Sequence, residues 1–144
     1  MIGKILVAVD DSPASLAGAR LAVELAQATG ATLHAVSVVA MGALNRRGAA
    51  VGNGALRAGR EHTADTLLRY IRELAGQAGV PLESAVVDGQ AAGHVLDRCR
   101  SIGADLIVLG RSDTAGPGQP YVGSQTRHVL EFADVPVLVV PPRR

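Results

Sequence analysis

The sequence predicts an α/β domain in three layers, with a parallel sheet between helices. Two observations carry this. Short apolar runs rich in branched side chains recur along the chain, and stretches with helical spacing separate them. Strands buried on both faces read as near-continuous apolar runs, the mark of a parallel sheet. Alternation of such strands with helices implies right-handed crossovers that place helices on both faces.

The elements follow in order. Ile5–Val9 reads as a first strand. Ser12 can cap a helix with Pro13 at its first position, where a missing N–H costs nothing. That helix carries Leu21, Leu25 and several alanines, and stops at Gly30. Thr32–Val39 is a second strand. The stretch 40–60 breaks the pattern, with Gly42, Gly48, Gly52, Gly54 and Gly59 and with Arg46, Arg47, Arg57 and Arg60. At about 20 residues it is long for a connection within a compact domain, so a flexible or functional insertion is expected there. Leu67, Leu68, Ile71, Leu74 and Ala75 keep helical spacing up to Gly79. Glu83–Val87 is a third strand. Val95, Cys99 and Ile102 mark a helix that stops at Gly103. Leu106–Leu109 is the fourth strand, and a short helix opens at Gly123-Ser124 and carries Val129 and Leu130. Val137–Val140 is the fifth. No repeat or second domain is seen, so 1–144 is expected to be one domain.

Composition removes several function classes. Apolar residues make up 48% of the chain, enough for a core, while the net charge is only +1. A nucleic-acid-binding surface shows a basic patch or stripe, and none is expected here. Two tyrosines, one phenylalanine and no tryptophan leave no stacking platform for bases. The single cysteine, Cys99, admits no intrachain disulfide and suits a reducing compartment. On the apolar face of its helix it reads as a buried, inert thiol. The chain runs from Met1 straight into Lys4-Ile5-Leu6-Val7, without a leader pattern. No run approaches the ~20 apolar residues of a membrane span. A cytoplasmic protein without membrane insertion is expected. His34, His62, His94 and His128 are scattered, without metal-ligand spacing.

The chemistry concentrates after the fourth strand. Gly110-Arg111-Ser112-Asp113 leads from a strand end, and Gly123-Ser124-Gln125-Thr126 opens a helix. Glycine at a strand end lets a ligand approach the backbone. A helix start offers free N–H groups and a dipole that favour an anion. Open parallel sheets bind ligands beyond the carboxyl ends of their strands, and Asp10 and Gly110 both fall at such ends. No Walker A loop occurs. A Ser/His/Asp set does not stand out either, so an enzyme is not expected.

These segments resemble the universal stress protein family. Its nucleotide-binding pattern is G-x2-G-x9-G-[ST]. Gly110, Gly123 and Ser124 match it in register, and Asp113 stands where the second glycine would be. Ile5–Ser12, Gly103–Gly110 and Ala133–Val140 resemble the family's first, fourth and fifth strands with their flanks. The resemblance implies a Rossmann-like, five-stranded sheet in the order 3-2-1-4-5 with four helices. It implies an adenine nucleotide as ligand, ATP or AMP, alone or with Mg2+. Asp10 matches the residue at the ribose. Val38 matches the position whose backbone meets adenine, with Val9 and Val137 nearby. Gly110, Gly123, Ser124 and Gln125 match the phosphate cradle, and Arg111 is a nearby counter-charge. It further implies a homodimer paired through Val137–Val140, serving an unknown regulatory protein partner in the stress response.

Asp113 puts a carboxylate beside the phosphates. Like charges about 4 Å apart cost on the order of 1 kcal/mol in water and more in a cleft. Three outcomes stay open: Gly116 or Gly118 takes the close approach, Asp113 turns outward or holds a metal, or the site takes fewer phosphates or none. The alternative function is therefore a nucleotide-free homodimeric stress or scaffold protein, with slow ATP hydrolysis behind it.

Overall fold

The structure is a computed structural model, and residues 1–10, 12–39, 53–88, 91–111 and 124–142 are described. Five strands form one sheet: β1 (Lys4–Val9), β2 (Thr32–Val39), β3 (Leu82–Asp88), β4 (Leu106–Gly110) and β5 (Val137–Val140). Among the described residues the helices are α1 (Pro13–Thr29), α2 (Asn53–Gln77), α3 (Ala91–Ile102) and α4 (Ser124–Phe132). The strand order is β3-β2-β1-β4-β5, with every neighbouring pair parallel. This is the order that the resemblance implies. The chain winds from β1 out through β2 to β3, then crosses to β4 and β5. The direction of winding therefore reverses between β1 and β4.

Side chains alternate across a strand, and here both sides are apolar. Ile5, Val7, Leu33 and Val108 face α1 and α2, against Ala19, Ala22, Val23, Leu68, Ile71 and Ala75. Leu6, Val36, Ile107 and Leu109 face α3 and α4, against Val95, Leu96, Cys99 and Val129. The central strands are sealed: Ile5, Leu6, Val7, Ile107 and Val108 are each 0% exposed. The start of α1 and the far ends of α1, α2 and α3 fall where the sequence places them. Ser15 N–H donates to Ser12 Oγ at 3.2 Å, and Gly30, Gly79 and Gly103 take left-handed φ values after the last turns of α1, α2 and α3.

The sheet is clasped at its amino end. Asp105 Oδ2 accepts from Gly3 N–H at 2.8 Å and Lys4 N–H at 3.0 Å, and Lys4 Nζ donates to the Ile102 carbonyl at 2.9 Å. The two backbone N–H groups hold the Asp105 carboxyl below its ordinary range. At the β5 edge, Ile107 N–H donates to Pro136 O and Arg111 N–H to Val140 O. Backbone polar groups alternate sides along a strand, so Pro136, Leu138 and Val140 direct theirs toward β4. The amides of Val137 and Val139 therefore point away from β4, on the side that no other described strand pairs.

One feature corrects the sequence reading and two add to it. First, α2 begins at Asn53, so Gly54, Arg57, Gly59 and Arg60 are helical and do not belong to a connection reaching 60. Ala55, Leu56, Arg57, Ala58, Arg60 and Glu61 are strong helix formers and outweigh glycines costing about 1 kcal/mol each. Residues 40–52 of the expected insertion, with Arg46 and Arg47, lie outside the described residues. Second, Leu130 is 45% exposed. A short helix over a sheet buries one stripe, and here that stripe holds Thr126 and Val129. Third, His34, which spacing leaves unassigned, is buried in β2. Glu83 Oε2 lies 3.3 Å from its Nδ1 without hydrogen-bond geometry, and neither ring nitrogen has a hydrogen-bond partner among the described residues. Arg98 Nε on α3 is likewise buried and unpartnered. Burial lowers the His34 pKa, with Lys4 and Arg98 acting in the same sense and Glu83 against it. Cys99 is buried as expected, and burial pushes its thiol pKa up.

Candidate functional site

A cleft of about 120 Å³ opens at the carboxyl ends of β1 and β4, where the winding of the chain reverses. Each wall follows from an element. β1 supplies Ala8 and Val9 and leads into Asp10, and β4 supplies Leu109 and Gly110. The first turn of α1 brings Ser12 and Ser15. Across the opening, α3 contributes Ala92 and Val95, and α4 contributes Gln125, Thr126 and Val129. The floor is apolar and the rim is polar. The starts of α1, α3 and α4 all border this space, so their positive dipole ends converge on it.

The β1–α1 turn is fixed by three hydrogen bonds. Asp10 N–H donates to Ser15 Oγ at 2.7 Å, Ser12 N–H donates to Asp10 Oδ1 at 2.8 Å, and Ser15 N–H donates to Ser12 Oγ. Asp10 is thereby exposed with one carboxylate oxygen engaged and Oδ2 without a partner among the described residues. A carboxylate accepts only, so it suits hydroxyl donors such as those of a sugar. On the far rim, Gln125 Oε1 accepts from Ala92 N–H at 3.0 Å.

The sequence-predicted residues divide. Val9, Asp10, Gly110 and Gln125 come together in the cleft. Ser124 opens α4 beside them. Val38 lies one residue beyond Ser37, the β2 partner of Val9, and its backbone pairs with Val87. Val137 does not line the cleft: it pairs with Ile107 at the amino end of β5 and packs on the α3–α4 core. Arg111 is half-buried, tied through its N–H to Val140, and does not line the cleft either. Asp113 and Gly123 lie outside the described residues. Gly110 has a packing reason that spacing does not reveal. A Cβ there would stand 2.6 Å from Ala14 C and Ser15 N, so the first turn of α1 fills the space.

Sequence reasoning missed Ser15 and Ala92. A serine three residues after a capping serine is a weak signal for Ser15. Nothing local marks Ala92, which enters only through tertiary contact. No group of His, Cys, Asp and Glu able to hold a metal occurs among the described residues. Among the same residues no helix is long and apolar enough to cross a membrane.

Known proteins share this architecture along its length. The chain is 29% identical to universal stress protein YxiE of Bacillus subtilis over an alignment 154 positions long, gaps included, covering 97% of this chain and 99% of that protein. Universal stress protein UspA from Lactobacillus plantarum superposes with a TM-score of 0.83 at 28% identity, covering 96% of this chain and 97% of the other. A universal stress protein from Archaeoglobus fulgidus, solved in complex with dAMP, has the same fold, with a TM-score of 0.70, 22% identity, and coverage of 97% and 99%. The sequence profile of the universal stress protein family matches residues 1–141, nearly the whole chain, and the chain belongs to that family.

Proposed function

We propose that this chain is a regulatory stress-response module that binds an adenine nucleotide, ATP or AMP, in the cleft between β1 and β4, and that it is a binder and not an enzyme. One observation carries the reading: three helix starts and the acceptor carboxylate of Asp10 converge on the cleft at the reversal of winding. The helix starts suit phosphate oxygens. Asp10 suits the sugar, and Val9 with the backbone of β2 toward Val38 suits the base. The dAMP complex of the Archaeoglobus fulgidus protein supports an adenine ligand on this fold. Mg2+ would accompany a triphosphate. Thr114–Val122 contains no Lys or Arg, and Asp113 adds a negative charge, which together favour the shorter phosphate chain of AMP.

The β5 edge, which no other described strand pairs, favours a homodimer paired through Val137–Val140, with a regulatory protein as further partner. An unpaired apolar edge invites pairing with another chain. The second reading is a nucleotide-free scaffold, favoured by Asp113 alone.

Denaturing extraction of freshly purified protein, with mass spectrometry of the released small molecules, tests the choice. About one adenine nucleotide per chain is expected on a single-site reading. An empty extract, followed by no calorimetric signal with ATP, ADP or AMP with and without magnesium, overturns nucleotide binding and leaves the scaffold.

A further inference from the structure

The first turn of α3 is capped from outside its own segment. Ala92 N–H is one of the donors that a helix start leaves without an intrahelical acceptor. Such donors are normally met by a Ser, Thr, Asn or Asp just before the helix. The residue before Ala91 is Gln90, which is none of these. Instead the acceptor is Gln125 Oε1, 3.0 Å away on the first turn of α4 and 33 positions along the chain. Both residues border the cleft.

This bond decides which way the Gln125 carboxamide turns. Ala92 N–H can only donate, so the amide oxygen must face it and the NH2 must face away. Among the described residues no partner takes Nε2. We propose that Gln125 is a ligand-binding donor for the cleft: α3 holds its oxygen, which leaves its Nε2 as a hydrogen-bond donor to an oxygen of the bound nucleotide and ties α3 to occupancy of the site. The inference rests on the adenine-nucleotide reading. It adds that the side chain of Gln125 both contacts the ligand and caps α3.

Gln125 is exposed, so variants at this position are expected to fold. Gln125→Glu keeps an acceptor for Ala92 but removes the NH2 donor and adds a negative charge. Gln125→Ala removes acceptor and donor together without adding charge. The experiment measures AMP and Mg-ATP affinity by calorimetry and exchange of the Ala92 amide by NMR, in the wild type and both variants. In Gln125→Ala, AMP affinity should fall about tenfold, the scale of one hydrogen bond to a charged group. Its Ala92 amide should exchange about tenfold or more faster, as an opened helix start does. In Gln125→Glu the Ala92 amide should stay protected while affinity falls further than in Gln125→Ala. In the wild type, AMP should slow Ala92 exchange. Wild-type affinity in Gln125→Ala overturns the donor role, even if Gln125→Glu binds weakly, because added charge alone would then explain the loss. Unchanged Ala92 exchange in Gln125→Ala overturns the capping. If the wild type itself binds neither nucleotide, the functional reading fails, and the donor role with it; binding that the variants leave unchanged sinks this inference alone.

Discussion

Gly110 is the residue where packing and function are hardest to tell apart. An added methyl would stand 2.6 Å from the backbone of Ala14 and Ser15, atoms that cannot rotate away. Gly110→Ala must push the start of α1 off the end of β4. Overpacking of this kind costs about 1–3 kcal/mol. A lowered midpoint in urea is expected even without nucleotide, and a stable variant that only loses binding would return Gly110 to the ligand. The glycine itself was legible from spacing. Its reason was not, because spacing cannot say which backbone makes the close approach. Val137 and Arg111 teach the same point. Both sit in segments that match the family, yet the pairing of β5 places Val137 at the amino end, away from the cleft.

Among the elements, the contact of β2 with α3 holds a titrating group. His34 is buried beside Glu83 of β3, with the charges of Lys4 on β1 and Arg98 on α3 also acting on it. Its folded pKa lies below the unfolded value of 6.5. Above that value both states are neutral and the histidine adds no pH dependence. As pH falls below it, the unfolded chain takes a proton that the folded one refuses, so stability is lost with acid. The limiting slope is one proton, about 1.4 kcal/mol per pH unit. Urea unfolding across pH 5 to 8 should show stability falling on the acid side, and His34→Leu should flatten that limb. An unchanged slope in the variant would assign the acid loss to other groups. Element identity was largely legible, since branched runs and left-handed glycines are local signals. The start of α2 was not. Glycines at 54 and 59 look like a loop until the flanking helix formers are weighed together. The burial of His34 was equally hidden, because one histidine in an apolar strand carries no mark of its charged neighbours.

At the scale of the whole molecule, the β5 edge is the feature that bears on assembly. The amides of Val137 and Val139 point away from β4. Val139→Pro removes an outward N–H and leaves the β4 ladder intact. If two copies pair through this edge, sedimentation should show a dimer for the wild type and a monomer for Val139→Pro, with unfolding of the monomer still cooperative. Identical mass for both would remove the edge from the assembly. The strand order rested on likeness alone, because alternation predicts parallel strands without ranking them. The seating of the helices has a mechanical consequence. α1 lies across both β1 and β4, the strands that flank the cleft, whereas on the other face α3 and α4 pack on each other over β1, β2 and β4. The opening is thus a vise with one fixed jaw. A bulkier ligand cannot spread β1 from β4 beneath α1, so it must drive α3 and α4 apart.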